Sequence, residues 1–332
     1  MSEVAVPTID DVRAAEKVIR MHLSPTPLVR SYALERALGL APGRRVWLKD
    51  FGWTPVGSFK VMGALNWMHN HADEIGNRPV ATQSSGNFAS GIAFAGQRYG
   101  KRVIIVMPDT APKVKFALTR SFGAEIRTYE IATDHITGIR EALTRQIAIE
   151  ENGVQASPYD DEYVIAGNGV GGLEVVEQLQ REGRKLSHFV SAVSGGGLMA
   201  GLALAIHDGF PDAEIIGVEP VGADDYRQSL AANQRVRVER PVSICDGLLS
   251  YDVGKLNWPI LQRLVRRSVA VTDEATRAAL GWLYCTHGLR VEPSGGITVA
   301  AGLQKQIDFS GPDFSGTDFS GTGDVVFVIS GR

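Results

Sequence analysis

Cysteine is scarce in this chain of 332 residues: only Cys245 and Cys285 occur, far apart and without CxxC spacing. That excludes a disulfide framework and argues against a cysteine-ligated zinc site, and both read as buried thiols. No stretch of about 18 uninterrupted apolar residues is present, so no membrane span is expected. The opening segment MSEVAVPTIDDVRAAEKVIRMHL is amphipathic and acidic-rich. It lacks the cationic start and apolar run of a secretory signal, which makes the cytoplasm the expected address. Basic excess is missing too. With 34 Lys and Arg against 37 Asp and Glu the formal charge is -3, and no nucleic-acid partner is expected.

Glycine, by contrast, is plentiful, with 37 residues that cluster into loops where backbone can approach a ligand. The length suffices for a large core and for two lobes. Short apolar runs rich in β-branched residues recur at RVWLKD (45–50), KRVIIVMPD (101–109), SHFVSAVSGGG (187–197), AEIIGVEP (213–220) and DVVFVISG (324–331). They alternate with segments of helical period, which predicts βα units on buried, mostly parallel strands. Residues 79–100 read as a strand, a Ser/Gly/Asn turn and a helix, and another strand and helix follow, so that 80–155 forms an inserted α/β lobe. The segment FSGPDFSGTDFSGTG (309–323) repeats a five-residue unit three times and reads as a surface loop before the last strand.

The stretch SGGGLMAGLA (194–203) follows an apolar strand and opens a helix, a context that favours a phosphate. Gly195, Gly197 and Gly201 also fit a loose dinucleotide-binding spacing, with Glu219 where a ribose-binding acid would stand. Close helix packing is a third account of the same glycines. By itself the loop does not decide among them.

A second stretch, VGSFKVMGAL (56–65), sets Lys60 after an aromatic residue and among small ones. Such a lysine is ordinarily solvated or snorkelling. Paired with a phosphate-anchoring loop, however, an unusual lysine suggests pyridoxal phosphate, a cofactor that needs an amine to hold its aldehyde as a Schiff base. QSSGNFASG (83–91), VMPDTAPKVKFALTRSFGAE (106–125), YDDEYVIAGNGVGGLEV (159–175), GVEPVGADD (217–225), VEPSGGITVAAGL (291–303) and FVISG (327–331) follow in the order expected of one family. Together with GSFKVMGA they resemble the fold-type II pyridoxal phosphate enzymes, in particular the L-threonine/L-serine dehydratase and serine racemase branch. The resemblance runs over residues 5–331. It implies a tryptophan synthase β-like α/β fold with two open, twisted, mostly parallel sheets flanked by helices. The large cofactor domain would comprise 1–79 and 156–332, and the small substrate domain 80–155.

On that resemblance Lys60 would be the Schiff-base lysine and the base that takes the Cα proton, a role that burial favours by lowering an amine's pKa. Ser194, Gly195, Gly196 and Gly197 would hold the phosphate, Ser194 departing from the glycine of many relatives. Asn87 would face the 3′ oxygen of the cofactor, Ser330 its pyridine nitrogen and Glu292 its ring, with Phe59 packing beside Lys60. Ser84, Ser85, Gly86, Asn87 and Phe88 would line the substrate site, and Ser85 matches the second acid/base of the racemases. Glu219, the carbonyl of Ala223 and Asp225 resemble a site for Mg²⁺ or Ca²⁺.

Three places depart from the pattern: Phe88 replaces a usual histidine, Met62 an arginine, and Phe51 and Trp53 stand where relatives are polar. They suggest a bulkier, more apolar substrate such as 3-phenylserine. The expected reaction is elimination of water and ammonia from an L-3-hydroxy amino acid to a 2-oxo acid. The alternatives are a racemase, a β-replacement synthase and a pyridoxal phosphate-binding regulatory protein. A homodimer is expected from the resemblance.

Overall fold

The computed structural model describes residues 6–84, 86–309 and 323–332. Ser85 and the body of the triple repeat, 310–322, lie outside the described residues. The apolar runs form strands, which in chain order are β1 (Leu28–Arg30), β2 (Val46–Asp50), β3 (Val80–Gln83), β4 (Val103–Pro108) and β5 (Glu125–Tyr129), then β6 (Val154–Gln155), β7 (Leu186–Ala192), β8 (Glu214–Pro220), β9 (Arg267–Val271) and β10 (Asp324–Ile329). Two sheets result, β1-β2-β10-β7-β8-β9 and β5-β4-β3-β6. Apart from the antiparallel β1 every pairing is parallel. The chain is therefore α/β with two mostly parallel sheets and helices packed on them, as its sequence pattern predicts.

Why these strands are apolar throughout follows from their position. β2, β4, β7 and β10 are buried at every residue, because parallel strands are covered on both faces and cannot alternate polar with apolar. Each fully buried valine or isoleucine stabilises the fold by about 2 kcal/mol. Parallel pairing also decides where ligands go. The register Ile329↔Asp50 brings β10 and β2 to an end together, and the glycine loop leaves the neighbouring β7 on that same side. The carboxyl edge of the sheet thus gathers Ser330, the lead-in to Lys60 and residues 193–196.

Three helices cross behind that edge: Lys60–Asn70, Glu162–Arg181 and Gly197–Gly209. Glycine lets them approach, since a Cβ at Gly201 would lie 2.2 Å from the Ile165 carbonyl oxygen and one at Gly167 2.7 Å from that of Met62. Met62 is consequently a core residue.

Charge is also buried. Lys49 on β2 sits 2.7 Å from Glu174, with both side chains fully enclosed. Burial pushes Lys49 down to about 8 against the pull of Glu174. Burial would raise Glu174, but Lys49 and hydrogen bonds from Lys49 and Thr26 outweigh it and hold the carboxylate below its usual range. Arg44, before β2, donates to the carbonyls of Phe309 and Gly323 and to Ser187 Oγ, so one guanidinium joins both flanks of the repeat. Of the two thiols only Cys245 is buried. Cys285 is exposed, a correction to the sequence reading, because its helix Asp273–His287 turns that position to solvent.

Candidate active site

The two sheets bound a cavity of about 450 Å³. Lys60, Asn87, Glu292, Ser330 and the loop Ser194–Gly197 all line it, from five separate parts of the chain. Sequence separation gives no hint of this convergence; the shared carboxyl edge does.

Lys60 opens its helix and points its amine into the cavity, where Nζ donates to the Pro158 carbonyl at 3.0 Å. Phe59 and Phe88 flank it, with ring centroids 5.2 and 5.9 Å from Nζ. Burial pushes the amine down to about 8, with Glu292 pulling the other way. A neutral amine is therefore accessible near neutral pH, as nucleophilic or base chemistry requires.

The glycine loop is built for close approach. Gly196 has φ +93° and Ser194 φ +53°, so a serine occupies a left-handed position that glycine takes more easily. Its hydroxyl stands 3.4 Å from the Gly247 carbonyl and from Ser250 Oγ. A Cβ on Gly195 or Gly197 would come 2.5 Å from Tyr159. The first closing bond of the following helix runs from Ala200 N to Gly196 O at 2.8 Å, which leaves the N–H groups of residues 197–199 outside the ladder. That positive helix end suits a phosphate.

Across the cavity Asn87 Nδ2 donates to Glu292 Oε1 at 2.5 Å. Lys115, which the sequence analysis did not single out, approaches Glu292 Oε2 at 3.4 Å and Asp246 Oδ2 at 3.3 Å. Burial raises the Glu292 pKa, with Lys115 opposing. Ser330 Oγ is nearly enclosed and donates to the Ser294 carbonyl at 3.2 Å. Ser84 Oγ accepts from the N–H groups of Gly86 and Ala89 at 3.2 and 3.1 Å and so shapes the turn that begins the Asn87–Tyr99 helix. Ser85, between them, is outside the described residues. Arg140 and Tyr129 also line the cavity and carried no motif signal, whereas Tyr159 opens one of the segments that carry the resemblance.

Of the apolar departures only Phe88 reaches the cavity. Met62 and Phe51 are fully buried in the core, where a Cβ on Gly171 would stand 2.4 Å from the Phe51 ring. Trp53 is 67% exposed, beneath the Arg332 guanidinium. The expectation that these residues enlarge an apolar substrate site is corrected accordingly: adjacency in sequence to Lys60 places them behind it.

Glu219 does not line the cavity, which leaves the dinucleotide reading without its acid. Its carboxylate accepts from Tyr226 N and Arg227 N at 2.8 and 2.9 Å and from Ser268 Oγ at 2.8 Å. Burial pushes it up to about 7 despite those bonds. Asp225 is buried, and neither of its oxygens has a hydrogen-bond partner among the described residues. Burial, reinforced by Glu219, pushes it up to about 8. Ala223 is enclosed beside them. Among the described residues no three His, Cys, Asp or Glu side chains converge as a metal cluster. None of the described helices is long and apolar enough to cross a membrane.

An enclosed amine, a glycine loop with free helix-start N–H groups and a hydroxyl just past the last strand meet at one cavity, an arrangement that suits pyridoxal phosphate. Residues 19–331 match the family model described as pyridoxal-phosphate dependent enzyme, and the chain belongs to that family. It is 32% identical over 306 residues to the L-threo-3-hydroxyaspartate ammonia-lyase of Saccharomyces cerevisiae, covering 92% of this chain and 90% of that one. Among solved structures it is similar to maize serine racemase, with TM-score 0.87, 29% identity, and 98% and 94% of the two chains covered. It is also similar to a threonine deaminase from T.th., with TM-score 0.86, 32% identity and 98% of each chain covered.

Proposed function

We propose that the protein is a pyridoxal phosphate-dependent ammonia-lyase that converts an L-3-hydroxy amino acid to a 2-oxo acid and ammonia. The observation that carries this reading is the enclosed Lys60 amine, held by one carbonyl at 3.0 Å and lowered to about 8, inside a cavity that also presents the glycine loop. When bound, pyridoxal phosphate supplies an electron sink for the carbanion left by Cα proton removal. Lys60 would hold the cofactor and then, as a free amine, take the Cα proton. Residues 194–197 would hold its phosphate through backbone N–H groups, Asn87 and Glu292 would border its ring, and the Ser330 hydroxyl would donate to its ring nitrogen. A neutral hydroxyl there leaves the ring a weaker sink than a carboxylate would, which suits rapid loss of a β hydroxyl over long-lived carbanions. Ser84, Gly86 and Asn87 would orient the α-carboxylate at a helix N-terminus, and Ser85, by its match to the racemases, would serve as the second acid/base.

Two carboxylates buried together, one without a donor among the described residues, fit a cation better than they fit each other. Glu219, Asp225 and the Ala223 carbonyl would hold a magnesium or calcium ion with water completing its shell. Residues 80–155 would act as a substrate lobe that closes on the remainder, and the protein would work as a homodimer.

Racemisation is the second reading, supported by the likeness to a serine racemase and by the need for only one further proton donor opposite Lys60. The experiment is a screen of 3-hydroxy amino acids for 2-oxo acid and ammonia, with Lys60→Ala as control and chiral analysis of recovered serine. Product from the native protein and none from the variant is expected. D-serine without oxo acid would install the racemase reading, a demand for an added nucleophile the synthase reading, and silence on every substrate a regulatory one.

A further inference from the structure

One wall of the cavity carries a cation, Lys115, where the departures in sequence suggest apolar. Lys115 stands on the helix Lys113–Ser121, which belongs to the four-stranded-sheet side, and reaches into the cavity. Its place is fixed by Gly86: a Cβ there would come 2.7 Å from Lys115 Nζ and 2.6 Å from its Cδ. The ammonium therefore lies directly over Gly86, next to the start of the Asn87–Tyr99 helix. Its two present partners, Asp246 and Glu292, are 3.3 and 3.4 Å away. Charge-assisted bonds of this kind close to about 2.8 Å when well made. Lys115 is thus charged, since its pKa is raised by Glu292 and Asp246 in the face of burial, but loosely engaged. Asp246 is 44% exposed and can return to water, whereas Glu292 is enclosed and also holds Asn87.

We propose that Lys115 seats a second carboxylate, making the site selective for a 3-hydroxy dicarboxylic amino acid of the 3-hydroxyaspartate class. This rests on the ammonia-lyase reading above. The α-carboxylate takes the N–H groups at the start of the Asn87–Tyr99 helix, and the side-chain carboxylate replaces Asp246 on Lys115, one anion for another. The net charge of the pocket group is conserved in that exchange, so the incoming anion meets no uncompensated charge. A serine or threonine side chain brings no anion to exchange for Asp246 and leaves that ion pair as it is.

The test uses the holoenzyme and its Lys115→Gln, Lys115→Arg and Asp246→Asn variants, with L-threo-3-hydroxyaspartate, L-serine and L-threonine as substrates. The native protein should favour hydroxyaspartate in kcat/KM. Lys115→Gln should lower that value at least tenfold, mainly through KM, and at least tenfold more than it lowers the values for serine and threonine; Lys115→Arg should recover part, and Asp246→Asn should lower the hydroxyaspartate KM. Malonate should inhibit serine turnover in the native protein and tenfold less in Lys115→Gln, a binding readout that unfolding cannot mimic when serine turnover persists. An equal fall for all three substrates, or a native protein indifferent to the second carboxylate, overturns the assignment. If no substrate yields product, it is the ammonia-lyase reading that fails. Displacement of malonate from the cofactor-loaded protein, read by absorbance, then decides for or against the Lys115 seat by the same tenfold criterion.

Discussion

The backbone N–H of Phe59 donates to the carbonyl of Ser330 at 3.1 Å. The residue before the cavity lysine is therefore hung from the end of the central strand β10, next to the hydroxyl of Ser330 itself. A bridge between Ser58 and Gly331 and a bond from Arg332 N to Gly57 O at 2.9 Å extend the same contact. Lys60 and Ser330 are fixed relative to each other by main chain, which does not depend on rotamers.

Because burial lowers Lys60 to about 8, its neutral amine becomes abundant above that pH rather than above the ordinary lysine value of about 10.4. Uptake of pyridoxal phosphate by the cofactor-free protein, followed by absorbance from pH 6 to 10, should speed up with a midpoint near pH 8. Borohydride reduction and peptide mapping should mark Lys60. A midpoint above pH 10, or a label elsewhere, contradicts the assignment.

Gly197→Ala places a Cβ 2.5 Å from the Tyr159 carbonyl oxygen, backbone that cannot swing aside. The loop must shift by about an ångström, which is large against the tolerance of oriented N–H donors. Pyridoxal phosphate affinity should fall by about tenfold or more in equilibrium titration, with the circular dichroism of the fold retained. Unchanged affinity would remove this loop from the phosphate site.

Glu174→Ala strands the Lys49 ammonium, which is fully enclosed and 2.7 Å from its partner. Orphaned buried charges cost about 3–5 kcal/mol. Urea denaturation should show a loss of that size, and the double change Lys49→Met, Glu174→Leu a smaller one. Equal losses would mean that shape rather than charge is at stake.

At the Glu219–Asp225 pair, magnesium or calcium should raise the melting temperature and chelator should lower it, in keeping with a ligand that binds only the folded state. Asp225→Asn should raise the stability of the metal-free protein, because it removes one of two facing buried carboxylates. The same variant should lose the ion-dependent shift. A native protein whose melting ignores both ions sinks the cation site.

Much of this is legible in the sequence, and for a physical reason. β2, β4, β7, β8 and β10 announce themselves because buried parallel strands must be continuously apolar, and the glycine loop does so because a helix start that admits a ligand tolerates no Cβ. β9 (RSVAV) is half-buried along most of its length and gives no such signal, nor do the short β1 and β6 or the polar β5. The misassigned residues share one cause. Met62 and Phe51 neighbour Lys60 along the chain, but helix periodicity and a glycine contact turn them inward. Lys115 escapes notice for the converse reason, since nothing local marks which cation of KVKFALTR will cross to Glu292.

Arg44 grips the carbonyls of Phe309 and Gly323 at once, so the two ends of the intervening stretch meet on one side chain. β10 consequently takes its pairing from anchors that lie outside that stretch. Changes in the number of residues between those two anchors should leave Ser330 and the carboxyl edge where they are.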